Sequence, residues 1–131
     1  TVYFTDEESY AAGVPPFESS VTRLVAPTAS LPELVLTEFF KGPTAEESAA
    51  GLAAVMSGFT GYSSLLVQDG IAHVYLEGPC ASLGATYTIA QPIFANLRQF
   101  SEIQWIKIYD AGGDTEEPAG PSNSIPFCLE P

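Results

Sequence analysis

Basic side chains are scarce in this sequence: 4 lysines and arginines stand against 16 aspartates and glutamates, a formal net charge of -12 at pH 7. Arg23, Lys41, Arg98 and Lys107 are scattered singly. Nucleic acid is excluded as a partner, because phosphate neutralisation needs clustered cations, and so is docking on an anionic membrane surface. Histidine is scarcer still. His73 alone would have to serve any Ser- or Cys-based nucleophilic scheme, and mid-strand it reads as a structural or surface residue. Gly-x-Ser-x-Gly, the Walker loop and the dinucleotide fingerprint are all missing. Acidic residues at Asp6, Glu7, Glu8 and 110–117 fall in presumed loops, which fix no separation for a glycosidase pair. The expectation is a protein that is not an enzyme and uses no cofactor. No apolar run is long enough to span a bilayer, so the chain holds no transmembrane segment. It opens on Thr1 without a methionine, and an amino-terminal signal or lipid anchor for membrane tethering is expected to lie outside it.

What is present is apolar: 46% of the 131 residues are hydrophobic and 15% charged, enough for one folded core. Cys80 and Cys128, the two cysteines, predict a disulfide and an oxidising, extracytoplasmic compartment. Two free buried thiols, or half of a metal site, are the alternatives; the latter has only His73 to draw on and no C-x-x-C pair. The acidic excess reads first as solubilising, and otherwise as cation or basic-partner binding.

Along the chain, residues 2–5 read as a strand, 6–16 as a loop and 21–26 as a second strand stopped by Pro27. Ser30-Leu31-Pro32-Glu33 is a capping box opening a helix, with Leu31, Leu34, Val35 and Phe39 at helical spacing and Gly42-Pro43 ending it. Thr44-Ala45-Glu46-Glu47 repeats the capping chemistry for a short helix before a glycine-rich loop over 57–61. Asp69-Gly70 between two β-rich runs predicts a type I′ hairpin. Its register places Leu65, Val67, Val74 and Leu76 on one side and Leu66, Ile71, His73 and Tyr75 on the other. Residues 88–100 bring Ile89, Ile93, Leu97 and Phe100 to one helical face, with Pro92 forcing a late start or a kink. Residues 104–110 form a last strand with Trp105, Lys107 and Tyr109 opposite Ile106 and Ile108. The Gly-, Pro- and acid-rich remainder, if Cys128 pairs with Cys80, folds back and covers the sheet with Ile125, Pro126, Phe127 and Leu129.

Two groups of residues carry candidate binding chemistry. Tyr75, Trp105 and Tyr109, with His73, share one sheet face and could stack on sugar rings or anchor a protein; burial beneath the tail containing Phe127 is the favoured alternative. Asp110, Asp114, Glu116 and Glu117 are calcium candidates, weighed against a plain solvated turn, since their spacing matches no EF-hand; no metal is expected.

The order strand, strand, helix, hairpin, helix, strand, with Phe40-Lys41-Gly42-Pro43-Thr44, Glu47, Gly51-Leu52, Asp69 to Tyr75 and Gln91 to Phe100 running into Ile106-Lys107-Ile108, resembles the GerMN domain of bacterial sporulation and spore-germination proteins. The likeness covers residues 1–110. It implies a two-layer α/β domain of secreted or lipid-anchored envelope proteins, with no established catalytic activity and no catalytic residues to carry over. The expected fold is thus an α+β two-layer sandwich: a mixed four- to five-stranded sheet, two main helices on one face, and a disulfide-tethered tail over residues 111–131. The expected function is a non-enzymatic, extracytoplasmic module contacting an envelope protein or cell-wall component; the alternative is a small-molecule or calcium-binding secreted domain.

Overall fold

The computed structural model describes residues 1–27, 29–55, 58–80, 85 and 87–130. The start of the loop expected over 57–61 therefore lies outside the described residues. The fold is α+β, as expected, but its strands divide into two three-stranded sheets instead of forming a single sheet of four or five. In the first, β1 (Val2–Asp6) is central between β2 (Glu18–Val21) and β3 (Leu52–Ala53), antiparallel to both. In the second, β5 (Ile71–Glu77) is central, antiparallel to β4 (Gly61–Gln68) and parallel to β6 (Trp105–Tyr109). The two main helices, α2 (Leu31–Lys41) and α4 (Ala90–Arg98), pack on each other and touch strands of both sheets.

Local chemistry explains where the elements begin and end. Residues 6–16 are not wholly loop: Asp6 accepts from the amides of Glu8 and Ser9 and caps a short helix, α1 (Glu7–Ala12), which Gly13 ends at φ 69°. No residue of α1 is buried, so apolar periodicity gave no sign of it. The second strand lies over Glu18–Val21 instead of 21–26: its register with β1 runs from Thr5 opposite Glu18 to Val2 opposite Val21, so Val21 alone of the expected strand is paired. Ser30 accepts from the Glu33 amide, but the Glu33 carboxylate returns to the Ser30 hydroxyl instead of its amide; the full capping box forms at Thr44 and Glu47, opening α3 (Ala45–Ala49). In α2 the buried side is Pro32, Val35, Leu36 and Phe39, and Leu31 faces solvent. Pro92 sits in the first turn of a late-starting α4, where its missing amide would have had no helical partner. Asp69 at φ 54° and Gly70 at φ 78° make the hairpin turn, with Leu65 opposite Val74 and Leu66 opposite His73 as the turn type dictates.

The core joins both layers. Phe4 stacks on Phe39 with ring centroids 5.8 Å apart, and Leu36, Phe59, Val74, Leu76, Ile89, Ile93, Leu97, Ile106 and Ile108 are buried with them. Cys80 and Cys128 are disulfide-bonded. The tail runs beside the outer edge of β6: the Ile108 amide donates to the Ser124 carbonyl (2.9 Å), the Ser124 amide to the Ile106 carbonyl (3.0 Å), and the Ile106 amide to Asn123 Oδ1 (2.8 Å). A 3-10 turn over Phe127–Leu129 then buries Leu129 in the core.

Candidate functional site

Pairing of β5 with β6 sets Ile71 beside Trp105, His73 beside Lys107 and Tyr75 beside Tyr109, while β4 places Leu66 beside His73. Strand alternation turns all of these away from Ile106 and Ile108, onto the face opposite the helices. The four aromatic and histidine candidates therefore share one face; His73 and Tyr75 both meet Tyr109, while Trp105 lies beside Ile71. Tyr75 and Tyr109 stack with centroids 4.3 Å apart and planes 9° from parallel, and His73 Nδ1 lies 2.8 Å from the Tyr109 hydroxyl. Burial raises the Tyr109 phenol above its ordinary value, with Tyr75 adding to the shift. Burial also lowers the His73 imidazole, helped by the charge of Lys107.

The tail covers half of this face, though not in the manner expected. Phe127 is exposed, and the apolar residues Ile125, Cys128 and Leu129 pack into the main core instead. It is the polar stretch that crosses the face. Lys107 is fully buried, its Nζ donating to the Glu117 carbonyl (2.6 Å) and the Ser122 hydroxyl (3.0 Å). Ser124 hydrogen-bonds Thr115 and receives the Glu117 amide. Tyr109 is buried along with Lys107, whereas Trp105 stays 37% and Leu66 55% exposed, and His73, Tyr75 and Ile71 are half-buried between them. An open apolar and aromatic strip thus borders a closed cationic one.

The calcium candidates are spread along one loop. Asp110 Oδ1 accepts the amides of Gly112 (3.0 Å) and Asp114 (2.9 Å), stitching its own turn, and the Glu116 carboxyl is held above its ordinary value by a hydrogen bond with Glu130. Among the described residues no three His, Cys, Asp or Glu side chains gather so as to hold a metal, and no helix is long and apolar enough to cross a membrane.

Two features escaped the sequence. Asn96, fully buried on α4, accepts the Tyr3 amide (2.7 Å) and donates to the carbonyls of Tyr3 (2.9 Å) and Pro92 (2.7 Å), so its amide fastens α4 to β1 as a neighbouring strand would. On another surface, Tyr10, Phe17, Tyr87 and Phe94 line a cleft of about 600 Å³ with Glu18 and Arg98. Tyr10 and Phe17 flank Pro15-Pro16 in the sequence, but Tyr87 and Phe94 lie far along the chain and no local pattern joins them to it.

A family model described as Germane, sporulation and spore germination, matches residues 1–116. No curated protein and no solved structure matches the chain.

Proposed function

Because the chain belongs to the Germane family of sporulation and spore germination, we propose that it is a non-enzymatic, extracytoplasmic envelope module that holds a protein or cell-wall partner on the open half of the β4–β5–β6 face. The observation that carries this reading is the presence of exposed Trp105 and Leu66 on one sheet face with the half-buried rings of His73 and Tyr75. Aromatic anchors flanked by a polar, solvated rim are the usual make-up of interface hot spots. The Cys80–Cys128 disulfide supports an oxidising location. The net charge of -12 favours a neutral or basic partner surface over a polyanion.

The test is capture from a solubilised envelope fraction of sporulating cells, with the disulfide-intact domain and the double variant Trp105→Ala, Leu66→Ala as paired baits. One component retained by the first and lost from the second, with both baits folded, is the expected result. Equal retention would move the contact off this face. Turnover of generic ester, glycoside or peptide substrates that disappears in His73→Gln would overturn the non-enzymatic reading.

A further inference from the structure

We infer that the cleft between α1, the start of β2 and the outer flank of α4 is a binding site for a short saccharide carrying one carboxylate. Its volume, about 600 Å³, lies within the roughly 300–1,000 Å³ usual for small-ligand sites. An adjoining recess of about 310 Å³ shares Glu18 and Arg98 with it and leaves room for a second sugar ring. None of its residues belongs to the aromatic sheet face, so the inference goes beyond the function proposed above.

Ring geometry selects the ligand shape. Tyr10 and Phe17 meet at 5.7 Å with planes 77° apart, Phe17 and Tyr87 at 5.9 Å and 83°, and Tyr10 and Tyr87 at 5.0 Å and 54°. Crossed rings make a cup, which suits the apolar C–H face of one pyranose. A polyproline peptide instead docks along extended aromatic-lined grooves. The polar complement selects the chemistry. The Arg98 guanidinium only donates and the Glu18 carboxylate only accepts, and a sugar's hydroxyl groups need both on one rim. Glu18 is fixed by the Tyr87 hydroxyl donating to its Oε2 (2.7 Å), and Arg98 lies over the Phe94 ring at 5.2 Å.

Charge selects the carboxylate. Arg23 is paired with Glu38 and Glu47, Lys41 with Glu38, and Lys107 is buried beneath the tail. Arg98 is exposed and forms no ion pair among the described residues. In a chain of net charge -12 this cation is the place where one anionic group is welcome, while a polyanion is repelled by the rest of the surface. A carboxylated pyranose occurs both as a lactyl ether, as in muramic acid, and as a uronic acid.

The full chain is titrated with N-acetylmuramic acid, glucuronic acid, neutral N-acetylglucosamine and a proline-rich peptide, reading the aromatic NMR signals of Tyr10, Phe17 and Phe94. Saturable shifts with a carboxylated sugar are expected, with the neutral sugar weaker by about threefold to fivefold. Arg98→Gln removes that difference, and Tyr10→Ala removes saturation while leaving the Trp105 signal, and so the fold, unchanged. The tighter of the two acids identifies the source. Absence of saturable shifts with every sugar, equal binding of charged and neutral sugars, or shifts produced by the peptide alone would overturn the assignment.

Discussion

A buried ammonium must be solvated by oxygens of the protein, and Lys107 takes a carbonyl and a hydroxyl from the tail. Its field reaches His73, whose imidazole is held below its ordinary value by burial first and by Lys107 second. The sign follows directly. The folded state binds a proton at His73 less readily than the unfolded chain, whose value is about 6.5. The stability from a neutral His73 is therefore present above that pH and is lost as pH falls through the folded-state midpoint. An NMR titration of the His73 ring is expected to give a midpoint below 6.5, moving upward in Lys107→Met; a midpoint above the ordinary value would contradict the arrangement. Asn96 and Lys107 were illegible in the sequence for one reason. Each is a polar residue type that is ordinarily left at the surface, and each is buried because a distant segment, β1 or the tail, supplies its partners.

At the scale of elements, most of what depended on neighbouring residues was readable, the short, wholly unburied α1 excepted. The caps at Ser30 and Thr44, the Asp69-Gly70 turn with its register, and the alternation of β6 all follow from chemistry within a few positions. What depended on a partner was not: β2 is the stretch 18–21 that pairs with β1, β3 is only two residues long, and the strands part into two sheets. Two glycines separate local from tertiary demands. Gly70 at φ 78° would bring an added Cβ only against the flexible Gln104 side chain, at 3.4 Å. Gly78 at φ 105° would bring it 3.0 Å from the Gly58 carbonyl oxygen and 3.1 Å from the Thr60 amide nitrogen. Urea unfolding should thus show Gly70→Ala losing about 1 kcal/mol and Gly78→Ala about 3 kcal/mol or more, since backbone atoms must move as well. Equal losses would contradict the close approach at Gly78.

For the whole molecule, the tail decides which half of the aromatic face is open. The sequence led to the face and to the cysteine pair, but it led to Phe127 as the cover, because apolar residues were the natural candidates. The tail buries Leu129 in the core, packs the partly buried Ile125 and Cys128 against it, and lays its polar stretch over Lys107. The disulfide, spanning a sequence separation of 48, contributes about 4 kcal/mol on the chain-entropy view. Cys80→Ala with Cys128→Ala should lower stability by up to that amount, speed hydrogen exchange at the Ile108 and Ser124 amides, and open Lys107 to amine-labelling reagents. Unchanged exchange and labelling would mean that the hydrogen bonds to β6 hold the tail unaided.

The proposed function rests on Trp105 facing a partner in the cell. The most direct measurement places a photo-cross-linking amino acid at position 105 and, separately, at position 24, where Leu24 is fully exposed on the segment after β2, and irradiates sporulating cells. A discrete adduct from position 105 that is missing from position 24 is the predicted result; no adduct from position 105, or the same adducts from both, would contradict the account.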